Sequence, residues 1–375
     1  MKKLALVLGS LLVVGSVASA KEVMPAPMPA PEKVVEYVEK PVIVYRDREV
    51  TPAWRPNGSV EVELRNWGEV EGHKAEDEYW DGEDYWTQLR TTTKINFTEK
   101  QSLKIHTRNK YGLKRANNEL AEAERLELVH TYKFGNLGSS KIDTRLETKF
   151  RHSGSKKFVE IKPVFDFSEY FFKNDYVKAT ALELAPFYRY VWGADKEASD
   201  KYENIYGLYA NAEFDLPWGM TFQAEFDDGI FAYSRENRNS RNVGEDLTAK
   251  YGNVELTLIK EFQLYKSAKN DLRLHLEGVY ETSYSWSKKD PASVGEFGTV
   301  RGNGKRERLG GYSAKFDPAI VYNFKATDYV TLFTRVGAEY KNRSQAADSY
   351  STSNRHGAKH WRWQPYARVG FKATF

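Results

Sequence analysis

The sequence predicts an all-β transmembrane barrel, an antiparallel up-and-down sheet of about 14 strands with short turns at one end and long loops at the other. Three observations predict it. The last sixteen residues, His360 to Phe375, alternate strictly, with apolar or aromatic side chains at the odd positions from Trp361 to Phe375 and mostly polar or small ones between them. A strand shows successive side chains to opposite faces, so one face of this segment is greasy and the other wet. The same rhythm repeats from Asn57 to the end of the chain, broken by alternating tight and long polar connections. The chain also starts with a charged pair, Lys2 and Lys3, an apolar run Leu4 to Val17, and Ala18-Ser19-Ala20, which together have the form of a secretion signal over residues 1–20.

Residues 21–56 read differently. Met24 to Pro31 alternates proline with alanine and methionine, an extended and semi-rigid spacer, so this stretch is expected to be a periplasmic tether. Residues 57–375 then form the barrel. In chain order the expected outward sets are Val60, Val62 and Leu64; Tyr85, Thr87, Leu89, Ile95 and Phe97; Leu103, Ile105 and Tyr111; Leu126, Leu128, Tyr132 and Phe134; Ile142, Leu146 and Phe150; Val159, Ile161, Phe165 and Phe167; and Leu182, Leu184, Tyr188, Tyr190 and Trp192. The second half continues with Tyr206, Leu208, Ala210 and Phe214; Met220, Phe222, Ala224 and Phe226; Val254, Leu256, Leu258, Phe262 and Leu264; Leu272, Leu274, Leu276 and Tyr280; Phe316, Pro318, Ile320, Tyr322 and Phe324; Val330, Leu332, Val336, Ala338 and Tyr340; and the C-terminal segment.

An even count puts both ends of the barrel on one side of the membrane. The tight connections fall at Thr98–Gln101, Gly135–Ser140, Ser168–Asn174, Asp215–Gly219, Lys266–Asp271 and Lys325–Asp328; the longer set includes Gly68–Glu83, Gly112–Ala123, His152–Lys156 and Gly193–Lys201. Pro163, Pro186, Pro318 and Pro365 fall on the outward register, where bulges or strand ends would spare the missing donor.

Composition agrees. With 41% hydrophobic residues, 14% aromatics and a mean hydropathy of −0.66, no apolar run beyond the N-terminus is long enough for a spanning helix. A barrel tolerates this, because half of each strand faces water, and aromatic girdles use the rings. A net charge of +4 gives no reason to expect a nucleic-acid partner, and zero cysteines exclude disulfides and thiol chemistry.

The register also names the lumen. Arg90 and Lys94, then Lys104, Arg108 and Lys110, then Arg145 and Lys149, and finally Arg362 and Arg368 form an expected basic wall. Glu213, Glu225, Asp227, Glu255, Glu261, Glu277 and Glu281 form an expected acidic wall on the other side. Two such walls set up a transverse field for ions and dipolar solutes. Local pairing with Glu61, Glu63, Glu127, Asp143 and Glu147 is the competing reading of the basic side. Asp228–Glu245, with Arg235, Arg238 and Arg241, and Ser287–Gly311 are candidate constriction loops.

Catalytic and metal chemistry find no footing. Gly302-Asn303-Gly304-Lys305 lacks the phosphate-loop frame, and there is no Gly-x-Ser-x-Gly elbow. His356 and His360 have no further ligand nearby, so no metal or other cofactor is expected. Asp77, Asp81, Glu83 and Asp84 read as a solvated acidic loop, and His130, outward with no serine partner, as an isolated polar residue near a membrane interface.

The leader Met1-Lys-Lys-Leu-Ala-Leu-Val-Leu, the Met-Pro-Ala-Pro tether, the repeated strands and the terminal Phe375 resemble the FomA-type major outer-membrane porins of fusobacteria. The resemblance covers essentially the whole chain. It implies homotrimers in the bacterial outer membrane, voltage-sensitive passive diffusion of small hydrophilic solutes and ions, and surface loops that serve adhesion. Phe375 resembles the terminal aromatic by which such barrels are recognised for assembly. The alternative from another class is an adhesin whose barrel only displays loops to surface ligands.

Overall fold

A computed structural model describes residues 54–72, 84–112, 124–154, 156–174, 176–193, 202–235, 247–287, 309–343 and 360–375. The expected leader and nearly all of the expected tether lie outside the described residues, as do Arg238, Arg241, Asp77, Asp81, Glu83, His356 and most of Ser287–Gly311.

Fourteen strands form the described chain: β1 (Asn57–Trp67), β2 (Trp86–Asn96), β3 (Gln101–Gly112), β4 (Glu124–Asn136), β5 (Asp143–Ser153), β6 (Lys156–Asp166), β7 (Lys178–Gly193), β8 (Tyr202–Leu216), β9 (Met220–Arg235), β10 (Leu247–Lys266), β11 (Asn270–Ser287), β12 (Leu309–Lys325), β13 (Val330–Arg343) and β14 (His360–Thr374). Each pairs antiparallel with its sequence neighbours, and β1 pairs with β14, so the sheet closes and has no edge. The seam runs from Ser59 opposite Thr374 to Trp67 opposite Tyr366. Gly58 and Phe375 lock its lower end: Gly58 N–H donates to the Phe375 carbonyl at 2.9 Å, and Phe375 N–H donates back at 3.1 Å. Residue 58 must be glycine, because a Cβ there would sit 2.8 Å from the Phe375 ring and 2.2 Å from the Lys94 carbonyl.

Both ends of the barrel chain therefore lie at one rim, called here the terminal rim. The six connections at that rim are short, while most at the far rim are long. One expected long connection is not: β5 and β6 are joined by Gly154 and residue 155 alone, since Ser153 pairs with Lys156. Polar composition at His152–Lys156 was no guide to length, because His152 and Lys157 are themselves a paired position in the ladder. The candidate constriction loop at Asp228–Glu245 is also shorter than its composition suggests, as β9 stays in strand through Arg235.

The predicted alternation holds through the strand centres and is interrupted by bulges, among them Lys133/Gly135 beside Phe134 and Gln263/Tyr265 beside Leu264, where an extra residue shifts the pairing. Side chains on the concave face converge, and Arg189 on β7 reaches the Tyr251 hydroxyl on β10, three strands away. The positions between are exposed and apolar, as at Leu64, Leu184, Leu258, Ile320 and Val369. Aromatic contacts gather at two levels on this outer face. Tyr188 with Tyr206, Tyr280 with Tyr312, and Tyr340 with Trp361 and Trp363 lie toward the far rim. Tyr132 with Phe134, and Phe214 with Phe222, lie toward the terminal rim. Paired girdles of this kind belong to membrane barrels.

The prolines do not sit at strand ends. Pro163 and Pro186 lie within β6 and β7, where the ladder is interrupted between Ile161–Tyr188 and Phe165–Leu184, so each faces the other across a gap neither could bridge. Pro318 likewise lies in a gap of the β12–β13 ladder. Pro365 lies just past the last β1–β14 pair, where its carbonyl accepts from Gly68 N–H at 2.8 Å.

Candidate functional site: the charged inner wall

Every strand contributes alternate residues to the inner face, so charge patterns along the sequence become rows around the wall. On one side Arg90, Arg108 and Arg125 occupy directly opposite positions on β2, β3 and β4. Beside them Arg335, Arg368 and Arg65 are opposite one another on β13, β14 and β1. Lys94 faces Lys104, Lys110 faces Gln88, and Arg362 faces Lys341. Like charges placed opposite each other across strands are unfavourable, so six arginines in two rows are a costly arrangement for the fold alone. Carboxylates reach part of this array, and Glu63 faces Arg90 across β1–β2. Glu63 meets Arg65 at 2.5 Å, and Arg335 meets Asp317 at 2.8 Å. Arg90 Nε donates to His106 Nε2 at 3.3 Å. Arg368 lies over the Tyr366 and Trp67 rings, 4.5 and 5.8 Å from their centroids.

On the other side Glu225, Glu255 and Glu281 occupy directly opposite positions on β9, β10 and β11. Among the described residues none of the three lies within 4 Å of a basic group. Glu225 accepts from Gln223 Nε2 at 2.6 Å and Glu255 from the Thr257 hydroxyl at 3.2 Å. Glu213 is one strand away, on β8. In a ring of fourteen, β2, β3 and β4 stand opposite β9, β10 and β11. Arg90 lies six residues up from the terminal rim at Asn96, and Glu225 five up from Met220.

Between the rows the wall is compensated. Arg151 pairs with Glu127, Lys149 with Glu160 (3.4 Å), and Arg189 with Glu160 (2.5 Å) and Asp227 (3.8 Å). Arg145 bridges Glu147 and Glu183, at 2.9 and 2.8 Å, and Glu147 also meets Lys162 at 3.0 Å. On β10 to β12, Glu261 meets Arg273 at 2.8 Å, and Glu277 meets Lys315 at 3.0 Å. His275 lies between those two carboxylates, 3.2 and 3.3 Å away. Of the predicted walls, then, Arg145, Lys149, Asp227, Glu261 and Glu277 are tied into ion pairs, Arg90 stands between Glu63 on β1 and Arg108 on β3, and Arg108, Arg368, Glu225, Glu255 and Glu281 each have a like charge at a directly opposite position.

Alternation alone places Arg189 and Arg335 inward too, one residue from Tyr188 and Val336, yet neither figures among the predicted wall residues. The inner aromatics carry no such signal. Trp67 stacks on Trp86 at 3.7 Å with Tyr366 beside it, and Lys110 lies 4.3 Å from the Trp86 centroid. Phe187 and Tyr251 lie flat over Gly207 and Gly229, which face each other on β8 and β9; a Cβ at either glycine would come within 2.3 Å of the ring. These rings lie on the wet face because bare backbone leaves room for them there.

No protein-family model matches the chain, and no curated protein matches it either. Solved structures do. A loop-deletion mutant of OmpT, an outer membrane protein of Vibrio cholerae, aligns at TM-score 0.35 and 7% identity, over 86% of this chain and 98% of that one. Salmonella typhi OmpF in complex with daunomycin aligns at 0.35 and 10%, over 85% and 97%. An anion-selective porin from Comamonas acidovorans aligns at 0.31 and 9%, over 86% and 99%. With scores this low, the barrel rests on its own hydrogen-bond ladder and not on these neighbours.

Proposed function

We propose that the chain is an outer-membrane porin, reached after removal of residues 1–20, through which small hydrophilic solutes and ions diffuse passively. The observation that carries this reading is the pair of opposed like-charge rows, Arg90–Arg108–Arg125 and Glu225–Glu255–Glu281, inside a closed barrel with an apolar skin. A wall that only had to be stable would interleave its charges, as β4 to β7 do. Barrels of about 8 strands fill with side chains and those of about 16 enclose water, which puts fourteen nearer the open class. The opposed rows orient dipolar solutes across their path and pass ions by side-chain charge. Nothing in this reading needs a catalytic residue, cofactor or metal. The resemblance to fusobacterial porins adds voltage sensitivity, trimers and a Phe375 assembly signal to the proposal.

Purified, folded protein in planar bilayers should give discrete conductance steps. Arg108→Glu should move the reversal potential toward cation preference, and Glu255→Lys toward anion preference. An unchanged reversal potential in both variants removes the field; absence of any steps leaves the adhesin reading, with the barrel as a mount for loops.

A further inference from the structure

Arg368 is held differently from the arginines on either side of it. Arg335 on β13 and Arg65 on β1 occupy the positions directly opposite. Arg65 Nε donates to Glu63 Oε2 at 2.6 Å, and its Nη2 reaches the same oxygen at 2.5 Å. Arg335 Nη2 donates to Asp317 Oδ2 at 2.8 Å, and its Nε donates to the Tyr366 hydroxyl at 2.7 Å. Arg368 has no carboxylate within 4 Å and no hydrogen-bond partner among the described residues. Two ring faces hold it instead, with the Tyr366 centroid at 4.5 Å and the Trp67 centroid at 5.8 Å. Both rings are fixed. Tyr366 is 3% exposed, and its hydroxyl donates at 2.7 Å to Asp317, which is fully buried. The ring reaches β12 by lying across β13, where a Cβ at Gly337 would come 2.8 Å from the hydroxyl. Trp67 is stacked on Trp86.

Ring faces position a guanidinium without neutralising it. Arg368 Nε is shut off from solvent, whereas its two terminal nitrogens are not. Each flanking guanidinium also keeps its Nη1 without a partner among the described residues. Three guanidinium groups against two carboxylates, Glu63 and Asp317, leave one positive charge in the row. Glu277, 4.0 Å from Arg335, already meets Lys315. Like charges directly opposite are unfavourable, and an anion lying among them offsets that. We infer that Arg368, with Arg65 and Arg335 beside it, binds a phosphate group, free or esterified, of solutes in the lumen. The donor set selects phosphate. A guanidinium presents paired donors that match one edge of a phosphate or a carboxylate. A carboxylate is used up by one such fork. A phosphate has further acceptor oxygens and more negative charge at neutral pH, so it can engage the central fork together with the spare flanking donors. The inference rests on the porin reading for the solute's route to the wall.

The full chain, folded in detergent and dialysed against labelled inorganic phosphate at an ionic strength held constant with chloride, should bind the label saturably. R368Q should weaken that binding by roughly tenfold or more, and R368K, which keeps the charge and loses the fork, should weaken it as well. R151Q removes an equal charge from the wall where Arg151 is paired with Glu127, and should leave binding unchanged. Displacement of the label by glycerol phosphate places esters in the site along with the free ion; acetate at the same concentration should not displace it. In planar bilayers phosphate should lower the wild-type chloride current to a plateau and leave that of R368Q unaltered. Uptake that rises without saturation, equal displacement by acetate, or wild-type affinity in R368Q overturns the site. Saturable binding by a chain that gives no conductance steps would remove the porin reading and leave the site, and steps without saturable binding would do the reverse.

Discussion

Two stretches of the same inner wall handle charge in opposite ways. From β4 to β7, Glu127, Glu147, Glu160 and Glu183 alternate with Arg145, Arg151, Lys162 and Arg189, and each carboxylate meets at least one cation. From β2 to β4, three arginines stand directly opposite one another in a row. Both stretches have the same alternation and the same antiparallel ladder. The difference teaches that charge density on the inner face is not what stabilises this barrel; its interleaving is. A like-charge row persists where something other than stability selects it.

The sharpest break of the comparison is Glu160→Gln. Glu160 is 2% exposed and holds both Arg189 and Lys149. Removing its charge takes the carboxylate from Lys149 and leaves Arg189 only the longer contact to Asp227, and unfolding in detergent and urea should show a loss of about 3 kcal/mol. Arg108→Glu should act in the reverse sense. It places a carboxylate between Arg90 and Arg125, so stability should hold or rise by about 0.5 kcal/mol even as permeation changes. A loss comparable to that of Glu160→Gln would mean the arginine row is itself structural. Smallest of all is Asp328→Asn at the terminal-rim turn. Lys325, 2.7 Å away, holds the Asp328 carboxyl below its ordinary range, so that interaction is present above the ordinary carboxylate pKa and fades as pH falls through the lowered one. The pair is exposed, and the variant's thermal melt should match the wild type at neutral pH and in acid alike.

Much of this was legible in advance. Alternation in Trp361–Phe375 and its thirteen counterparts gave each strand's register, because period two leaves only two choices and the membrane forbids one of them. It did not give the length of the β5–β6 turn, since His152 and Lys157 look like loop residues until they are seen paired. Nor did it show that Pro163 and Pro186 share one gap, or that Phe187 and Tyr251 turn inward over glycines.

What the chain determined by itself is local: which atoms face out, which face in, and that the sheet has an even number of strands, all consequences of one backbone geometry repeated. Which arginine meets a carboxylate and which meets another arginine was decided only on closure. The stagger between strands, and the curvature that carries Arg189 to Tyr251, set neighbours that are 62 residues apart in sequence. Electrostatics depends on those distances, and no one-dimensional pattern contains them.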